Sequence, residues 1–257
     1  MTAIPHYISQ GDGPVLLFLH GIGGNCHAFD HQLPAFAGRW RAVSWDMPGY
    51  GNSTPLDEMT FANLAHAVAR LLDYFDAPTA AIVGHSMGGM VAQEFVALHP
   101  GRTSALVLSG TSPSFGKPGG EWQEWFLGQR LAPLDRGLSP ADFAGELVPG
   151  MMAANPPAAA VTAAMASMSA LSPDTYRAAL HCLVSFNRRA ELADIACPTL
   201  ALAGQFDEAA PAAMMEKMAG YIPECRYHCL TGVGHLANLE DPEQFNQAVR
   251  GFLDEEV

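Results

Sequence analysis

The segment Thr79–Leu98, TAAIVGHSMGGMVAQEFVAL, joins an apolar run to a stretch with apolar residues at helical spacing. A short continuous apolar run is typical of a strand buried on both faces. The spacing therefore predicts a strand at Thr79–Val83 and a helix at Met87–Leu98. Between them lies Gly84-His85-Ser86-Met87-Gly88, which matches the pattern G-x-S-x-G. On such a sharp strand-to-helix turn a serine is exposed at the carboxyl end of a sheet, so Ser86 is the candidate nucleophile.

The same alternation of strand and helix continues on both sides of this segment. Predicted strands are Val15–Leu19, Arg41–Trp45, Thr103–Leu108, Thr199–Ala203 and Arg226–Leu230. Predicted helices are Phe61–Phe75, Ala210–Ala219 and Pro242–Leu253, the first with Thr60 as its N-cap. Strands that alternate with helices indicate a mainly parallel sheet covered on both faces.

Residues 112–189 differ from the rest of the chain because they contain no clear strand. Prolines divide them into short helical pieces, at Pro133, Pro140, Pro149, Pro156, Pro157 and Pro173. We expect an all-helical cap here, inserted after the fourth parallel strand into a core made of residues 1–111 and 190–257. Large apolar side chains are usually buried, but some should face the core and line a pocket. The candidates for this lining are Trp122, Trp125, Met151, Met152 and Phe186.

A serine hydroxyl is a weak nucleophile unless a base removes its proton. His235 is the candidate base, because it follows the strand ending at Leu230 and is preceded by Gly232-Val233-Gly234. The alternative is a loop histidine in solvent. An acid must orient the base, and Asp207 follows the strand Thr199–Ala203 at the same sheet edge. Its neighbour Glu208 is the alternative acid.

An oxyanion needs two preorganised donors. We expect one from the backbone N–H of Met87, directly after the nucleophile, and one from Ile22 in the loop His20-Gly21-Ile22-Gly23-Gly24. The glycines let the backbone approach a substrate closely. The positive end of the Met87–Leu98 helix dipole favours an oxyanion at the same place. The alternative is a glycine-rich turn that binds no ligand.

Composition excludes several classes of protein. The 257 residues include 49% hydrophobic and only 15% charged residues, so the chain can bury a large core and is not disordered. Its net charge of −13 repels phosphate backbones, which argues against nucleic-acid binding. The terminal stretch His235–Val257 holds six of the acids and predicts a solvated helix.

Membrane association and metal binding are not expected either. The chain has two lysines, no apolar run long enough for a bilayer, and an N-terminus unlike a signal peptide, so we expect a cytoplasmic protein. Its five cysteines are odd in number and scattered, which favours reduced thiols. Cys225 and Cys229 lack a second ligand pair for zinc. No cofactor and no metal are expected.

Several motifs together carry a resemblance to a known superfamily. Besides His20–Gly24 and Gly84–Gly89, the chain has Asp46-Met47-Pro48-Gly49-Tyr50-Gly51-Asn52-Ser53, similar to a D-x-x-G-x-G-x-S loop. Over nearly its whole length it resembles the α/β-hydrolase superfamily, whose members carry the order Ser, Asp, His. Phe29-Asp30-His31-Gln32 is similar to the W-x-x-Q of the capped 3-oxoadipate enol-lactonase and small esterase group, with Phe29 in place of Trp.

The resemblance implies a cofactor-independent serine hydrolase that cleaves a small apolar acyl ester or lactone. A serine nucleophile argues against haloalkane dehalogenases and epoxide hydrolases. Hydrolysis of a C–C bond in a vinylogous diketone by the same triad is the alternative activity, although Gly23-Gly24-Asn25 replaces the usual HG-x-G-P-G loop. A non-catalytic ligand receptor is the other alternative, because a fold alone does not define a function. Only about a dozen residues precede Val15, so we expect at most one antiparallel strand there.

Overall fold

A seven-stranded sheet forms the centre of the protein in the computed structural model, which describes residues 3–117 and 119–257. The strands are β1 (Tyr7–Gln10), β2 (Val15–Leu19), β3 (Arg41–Trp45), β4 (Ala80–His85), β5 (Thr103–Ser109), β6 (Thr199–Gly204) and β7 (Arg226–Leu230). Their spatial order is β1-β3-β2-β4-β5-β6-β7, with β1 antiparallel to β3 and all other neighbours parallel. The N-terminal segment thus forms one antiparallel strand, in agreement with the expectation of at most one.

Ten α-helices surround or extend this sheet within the described residues. They are α1 (Gln32–Phe36), α2 (Phe61–Tyr74), α3 (Met87–Leu98), α4 (Glu121–Asp135), α5 (Pro140–Leu147), α6 (Ala158–Ser169), α7 (Pro173–Val184), α8 (Ala212–Ala219), α9 (Ala237–Glu240) and α10 (Pro242–Glu256). The Thr60 side chain accepts a hydrogen bond from Asn63 N–H and so caps α2 as predicted.

The core has two parts because successive side chains of a strand point to opposite faces of the sheet. Leu17 and Leu19 of β2 pack on one face with α2, α3 and α8. Leu16 and Phe18 pack on the other face with α1 and α10. The central strands are buried along their whole length, which explains why they read as continuous apolar runs.

Four of the helices, α4 to α7, lie between β5 and β6 and form the helical insertion. An isolated bridge between Ser114 and Asn187 joins the two ends of this insertion. The predicted fold class, an α/β sheet with a helical insertion after the fourth parallel strand, is confirmed. The boundary of the cap at 112–189 stays a prediction. Over residues 3–117 and 119–257, we find no helix with the length and apolar character needed to cross a membrane.

Candidate active site

Ser86 lies between β4 and α3 in a strained backbone conformation. Its φ of 53° and ψ of −119° are unusual for a residue with a side chain. The flanking glycines are required by packing: a Cβ on Gly84 would lie 2.6 Å from the carbonyl oxygen of Gly88, and one on Gly88 would lie 2.1 Å from that of Leu19. Both distances are too short for a side chain. The tight turn that results directs Ser86 out of the sheet edge.

The loop after β2 passes directly over Ser86. A Cβ on Gly21 would lie 2.9 Å from the Ser86 Cβ and 3.4 Å from its Oγ, so only glycine permits this approach. Ile22 lines the cavity around Ser86, and Met87 is the first residue of α3. Within the described residues, neither the Ile22 N–H nor the Met87 N–H has a hydrogen-bond acceptor. Ile22 and Met87 are thus near Ser86, and their role as oxyanion donors stays a prediction.

Asp207 and His235 form a buried pair at the ends of two neighbouring strands. The distance from His235 Nδ1 to Asp207 Oδ2 is 2.8 Å, and the residues are 7% and 5% exposed. The other carboxylate oxygen of Asp207 accepts the N–H groups of Ala209 and Ala210, each at 2.8 Å. Burial alone raises the pKa of Asp207, but the hydrogen bond from His235, its charge and the Ala210 N–H outweigh burial and lower it. The alternative acid, Glu208, is exposed and makes no such bond.

His85 lies against the ring of His235, with their ring centroids 4.8 Å apart. It is 6% exposed, and its Nδ1 has no hydrogen-bond partner among the described residues. Burial, with a smaller effect from the neighbouring His235, lowers the pKa of His85 to about 3. His85 is therefore neutral near pH 7 and adds no second positive charge beside His235.

One cluster away from Ser86 contains possible metal-ligand atoms. Single ligand atoms of His6, Cys26 and Asp46 lie within 4.8 Å of one another. The carboxylate of Asp46 is already hydrogen-bonded to His6 Nδ1 at 2.7 Å, to Cys26 N–H at 2.8 Å and to Asn52 N–H at 3.0 Å. Burial, assisted by the charge of Asp46, raises the pKa of the Cys26 thiol to about 12, so this thiol is protonated near neutral pH. The cluster anchors the loop at Asp46 through hydrogen bonds.

Two cavities meet at Ser86 and His235. The smaller has a volume of about 50 Å³ and is lined by small groups such as Gly23, Ala28 and Ala164. The larger has a volume of about 260 Å³ and lies beneath the helical insertion. Its walls are mostly apolar, apart from the charged side chains of Arg130 and Glu208. An apolar cavity beside a nucleophile and base can hold the hydrocarbon part of a substrate.

Two of the five predicted lining residues, Trp122 and Met151, line the larger cavity. The other three are not among its lining residues. Trp125 is 60% exposed on α4, because α4 turns that side chain to the outside. Met152 is buried where its backbone packs against Gly234, and Phe186 packs on Phe61 with ring centroids 4.6 Å apart. These differences arise from the packing of the cap helices.

Glu240 is a feature of the site that the sequence did not indicate. It belongs to the acidic terminal stretch that we expected to be solvated, yet it is only 6% exposed. Its carboxylate accepts backbone N–H groups beside His235. A glutamate in an acidic stretch carries no local signal of burial, so this contact is visible only in the tertiary structure.

Comparison with known proteins agrees with this geometry. Residues 14–242 match the model of the alpha/beta hydrolase fold family. The chain belongs to this family. It is therefore a hydrolytic enzyme.

Two relatives in sequence and one solved structure show which proteins of the family this chain is similar to. The chain is 28% identical to 3-oxoadipate enol-lactonase 2 from Acinetobacter baylyi over 249 residues, which are 95% of this chain and 90% of that protein. It is 30% identical to part of the polyketide synthase ThaQ from Burkholderia thailandensis, covering 95% of this chain but only 12% of ThaQ. The structure of a thermophilic esterase from Thermogutta terrifontis matches with a TM-score of 0.89 and 25% identity, covering 97% of this chain and 93% of the esterase.

Proposed function

We propose that this alpha/beta hydrolase is a serine hydrolase that cleaves a carboxylic ester or lactone through an acyl-enzyme. The observation that carries the proposal is the buried Asp207–His235 pair, which opens onto the same cavity as the strained Ser86. The similarity to an enol-lactonase and to an esterase supports this class of substrate.

Acylation begins when Ser86 Oγ attacks the substrate carbonyl and His235 Nε2 accepts its proton. The N–H at His235 Nδ1 donates a hydrogen bond to Asp207, which orients the ring and stabilises the imidazolium. The N–H groups of Ile22 and Met87 donate to the negative oxygen of the tetrahedral intermediate. His235 then protonates the leaving alkoxide or enolate, and the acyl group remains on Ser86.

Deacylation repeats these steps with water as the nucleophile. His235 accepts a proton from the water, which attacks the acyl carbonyl, and returns it to Ser86 as the acid product leaves. The larger cavity suits an apolar acyl or lactone substrate, since its lining includes Phe115, Phe126 and Met168. In this proposal residues 112–189 act as the cap that covers the substrate, and no cofactor is required.

The test is covalent labelling followed by kinetics. A fluorophosphonate probe should label the wild-type protein at Ser86, and Ser86→Ala should abolish labelling. The same variant should stay folded and lower kcat for ester hydrolysis by about three orders of magnitude or more, because nucleophile and base act as a unit. Near wild-type turnover in folded Ser86→Ala would contradict the covalent mechanism. Activity on vinylogous diketones without activity on esters would favour C–C bond hydrolysis, and no labelling of the wild type would favour a binding protein.

A further inference from the structure

The carboxylate of Glu240 is buried at the end of α9 without a cationic partner among the described residues. It is held instead by three backbone N–H groups. Gly234 N–H donates to both oxygens at 3.1 and 3.0 Å, Leu236 N–H donates to Oε1 at 3.1 Å, and Ala153 N–H donates to Oε2 at 2.8 Å. Hydrogen bonds to an ionised acceptor are stronger than neutral ones, so this arrangement compensates a buried charge.

Two of these donors are the residues on either side of His235. The carboxylate therefore holds the main chain immediately before and immediately after the candidate base. A side chain in solvent at this position would leave both N–H groups without an acceptor. Buried N–H groups without acceptors are costly, so the loop would rearrange if the carboxylate were lost.

The third donor belongs to a different part of the chain, the segment Met151–Ala153 of the helical insertion. His235 N–H donates to the carbonyl oxygen of Met151 at 2.8 Å, while Ala153 N–H donates to Glu240. A Cβ on Gly234 would lie 2.7 Å from Ala153 N, so the two backbones touch. Met151 also lines the larger cavity at Ser86. Glu240 thus joins the His235 loop to a wall of the substrate cavity.

We propose that Glu240 is a positioning residue, which acts through the main chain to hold His235 against Ser86 and to hold Met151 in the cavity wall. The inference rests on the proposed function, in which His235 is the base. Glu240 itself does not line the cavities at Ser86, so it has no contact with substrate. Its effect is on the geometry of the base, and small displacements of a catalytic group lower the rate strongly.

A carboxylate is required at position 240 because both of its oxygens accept hydrogen bonds. A glutamine of nearly the same shape offers one acceptor oxygen and an NH₂ group, which is a donor. In Glu240→Gln the NH₂ group would therefore take the place of one carboxylate oxygen, and a donor would face the backbone N–H groups that this oxygen had accepted. Either Leu236 N–H or Ala153 N–H then loses its acceptor, whereas Gly234 N–H keeps one because it donates to both oxygens.

Glu94 provides a matched control, because within residues 3–117 and 119–257 it is the other buried glutamate whose carboxylate is fully hydrogen-bonded. It is 7% exposed on α3 and accepts two hydrogen bonds from Arg188, at 2.7 and 2.8 Å. Glu94→Gln removes a buried carboxylate, as Glu240→Gln does, but leaves the His235 loop intact. Comparing the two variants separates a loss of stability from a loss of positioning.

The experiment measures four quantities for wild type and both variants, at a temperature where each is folded. They are the free energy of unfolding, kcat and KM for p-nitrophenyl acetate, and the rate at which a fluorophosphonate labels Ser86. We expect both variants to lose stability. Glu240→Gln should lower kcat and the labelling rate by about tenfold or more with KM within threefold, whereas Glu94→Gln should keep both rates within twofold.

A folded Glu240→Gln protein with kcat and labelling rate within twofold of wild type would overturn the positioning role. If Glu240→Gln does not fold, Glu240→Asp carries the test, because it keeps the charge but withdraws the oxygens by one methylene. It should lower kcat at least threefold with little change in KM, and an unchanged kcat would overturn the proposal. A wild-type protein that the probe leaves unlabelled at Ser86 would refute the proposed function itself, and the positioning role with it.

Discussion

Acidification should destabilise the fold through a histidine that is buried in its neutral form. His20 follows β2 and is completely buried. Its Nδ1 lies 2.8 Å from the carbonyl oxygen of Gly21, and its Nε2 accepts the N–H of Met47 at 3.0 Å. Since Met47 N–H is a donor, Nε2 carries no proton. Protonation would bury a charge and turn an acceptor into a second donor.

The size of the effect follows from two pKa values. Burial lowers the pKa of His20 from 6.5 to about 4, and burial, with His235 nearby, lowers that of His85 to about 3. Because both folded values lie below the unfolded value, the full stability is present above pH 6.5 and is lost as the pH falls below it. Linkage gives a loss of about 2 kcal/mol for each residue between pH 8 and pH 5. The combined loss is a large part of the 5–15 kcal/mol typical of a folded protein.

The assay is urea unfolding of wild type and of His20→Gln at pH 8 and pH 5. Glutamine does not titrate, so the difference in unfolding free energy between the two pH values should shrink by about 2 kcal/mol in the variant. His228→Gln is the control, because His228 is exposed on β7 and the substitution should leave the difference unchanged. The reasoning fails if His20→Gln and wild type lose stability equally, within about 0.5 kcal/mol.

Two further predictions concern activity. Gly110→Ala should lower kcat about tenfold or more in a folded protein, because φ at Gly110 is +51° and a new Cβ would lie 3.2 Å from Asp207 Oδ2. Met151→Ala should change the ratio of kcat/KM for acetyl and hexanoyl esters by a factor equivalent to about 1–3 kcal/mol. Trp125→Ala, at an exposed position, should leave this ratio unchanged. Equal ratios in the two variants would show that Met151 does not select the acyl chain.

Local sequence was sufficient for the sheet, for the helices that cover it and for the order of the candidate triad. β2, β3 and β7 have the predicted bounds, and β4 begins at Ala80 instead of Thr79 and extends to His85 instead of Val83. The prediction of the strands succeeded because buried parallel strands have continuous apolar sequences. The prediction of the triad order succeeded because parallel strands bring the residues that follow them to the same edge of the sheet. Asp207 and His235 each follow a strand by a few residues, so the chain order alone predicts that both lie at the carboxyl edge of the sheet.

The tertiary structure alone decided which side chains meet around that edge. Trp122 and Trp125 are three residues apart on one helix and both are largely exposed, yet only Trp122 lines the cavity, since the orientation of α4 depends on its packing against the other cap helices. Glu240 lies in an acidic stretch typical of a solvated helix, and it is buried because Ala153, 87 residues earlier in the chain, packs against its loop. Such contacts join segments that are far apart in sequence, and their energy depends on the final position of both segments. The local sequence of either segment therefore does not predict the contact.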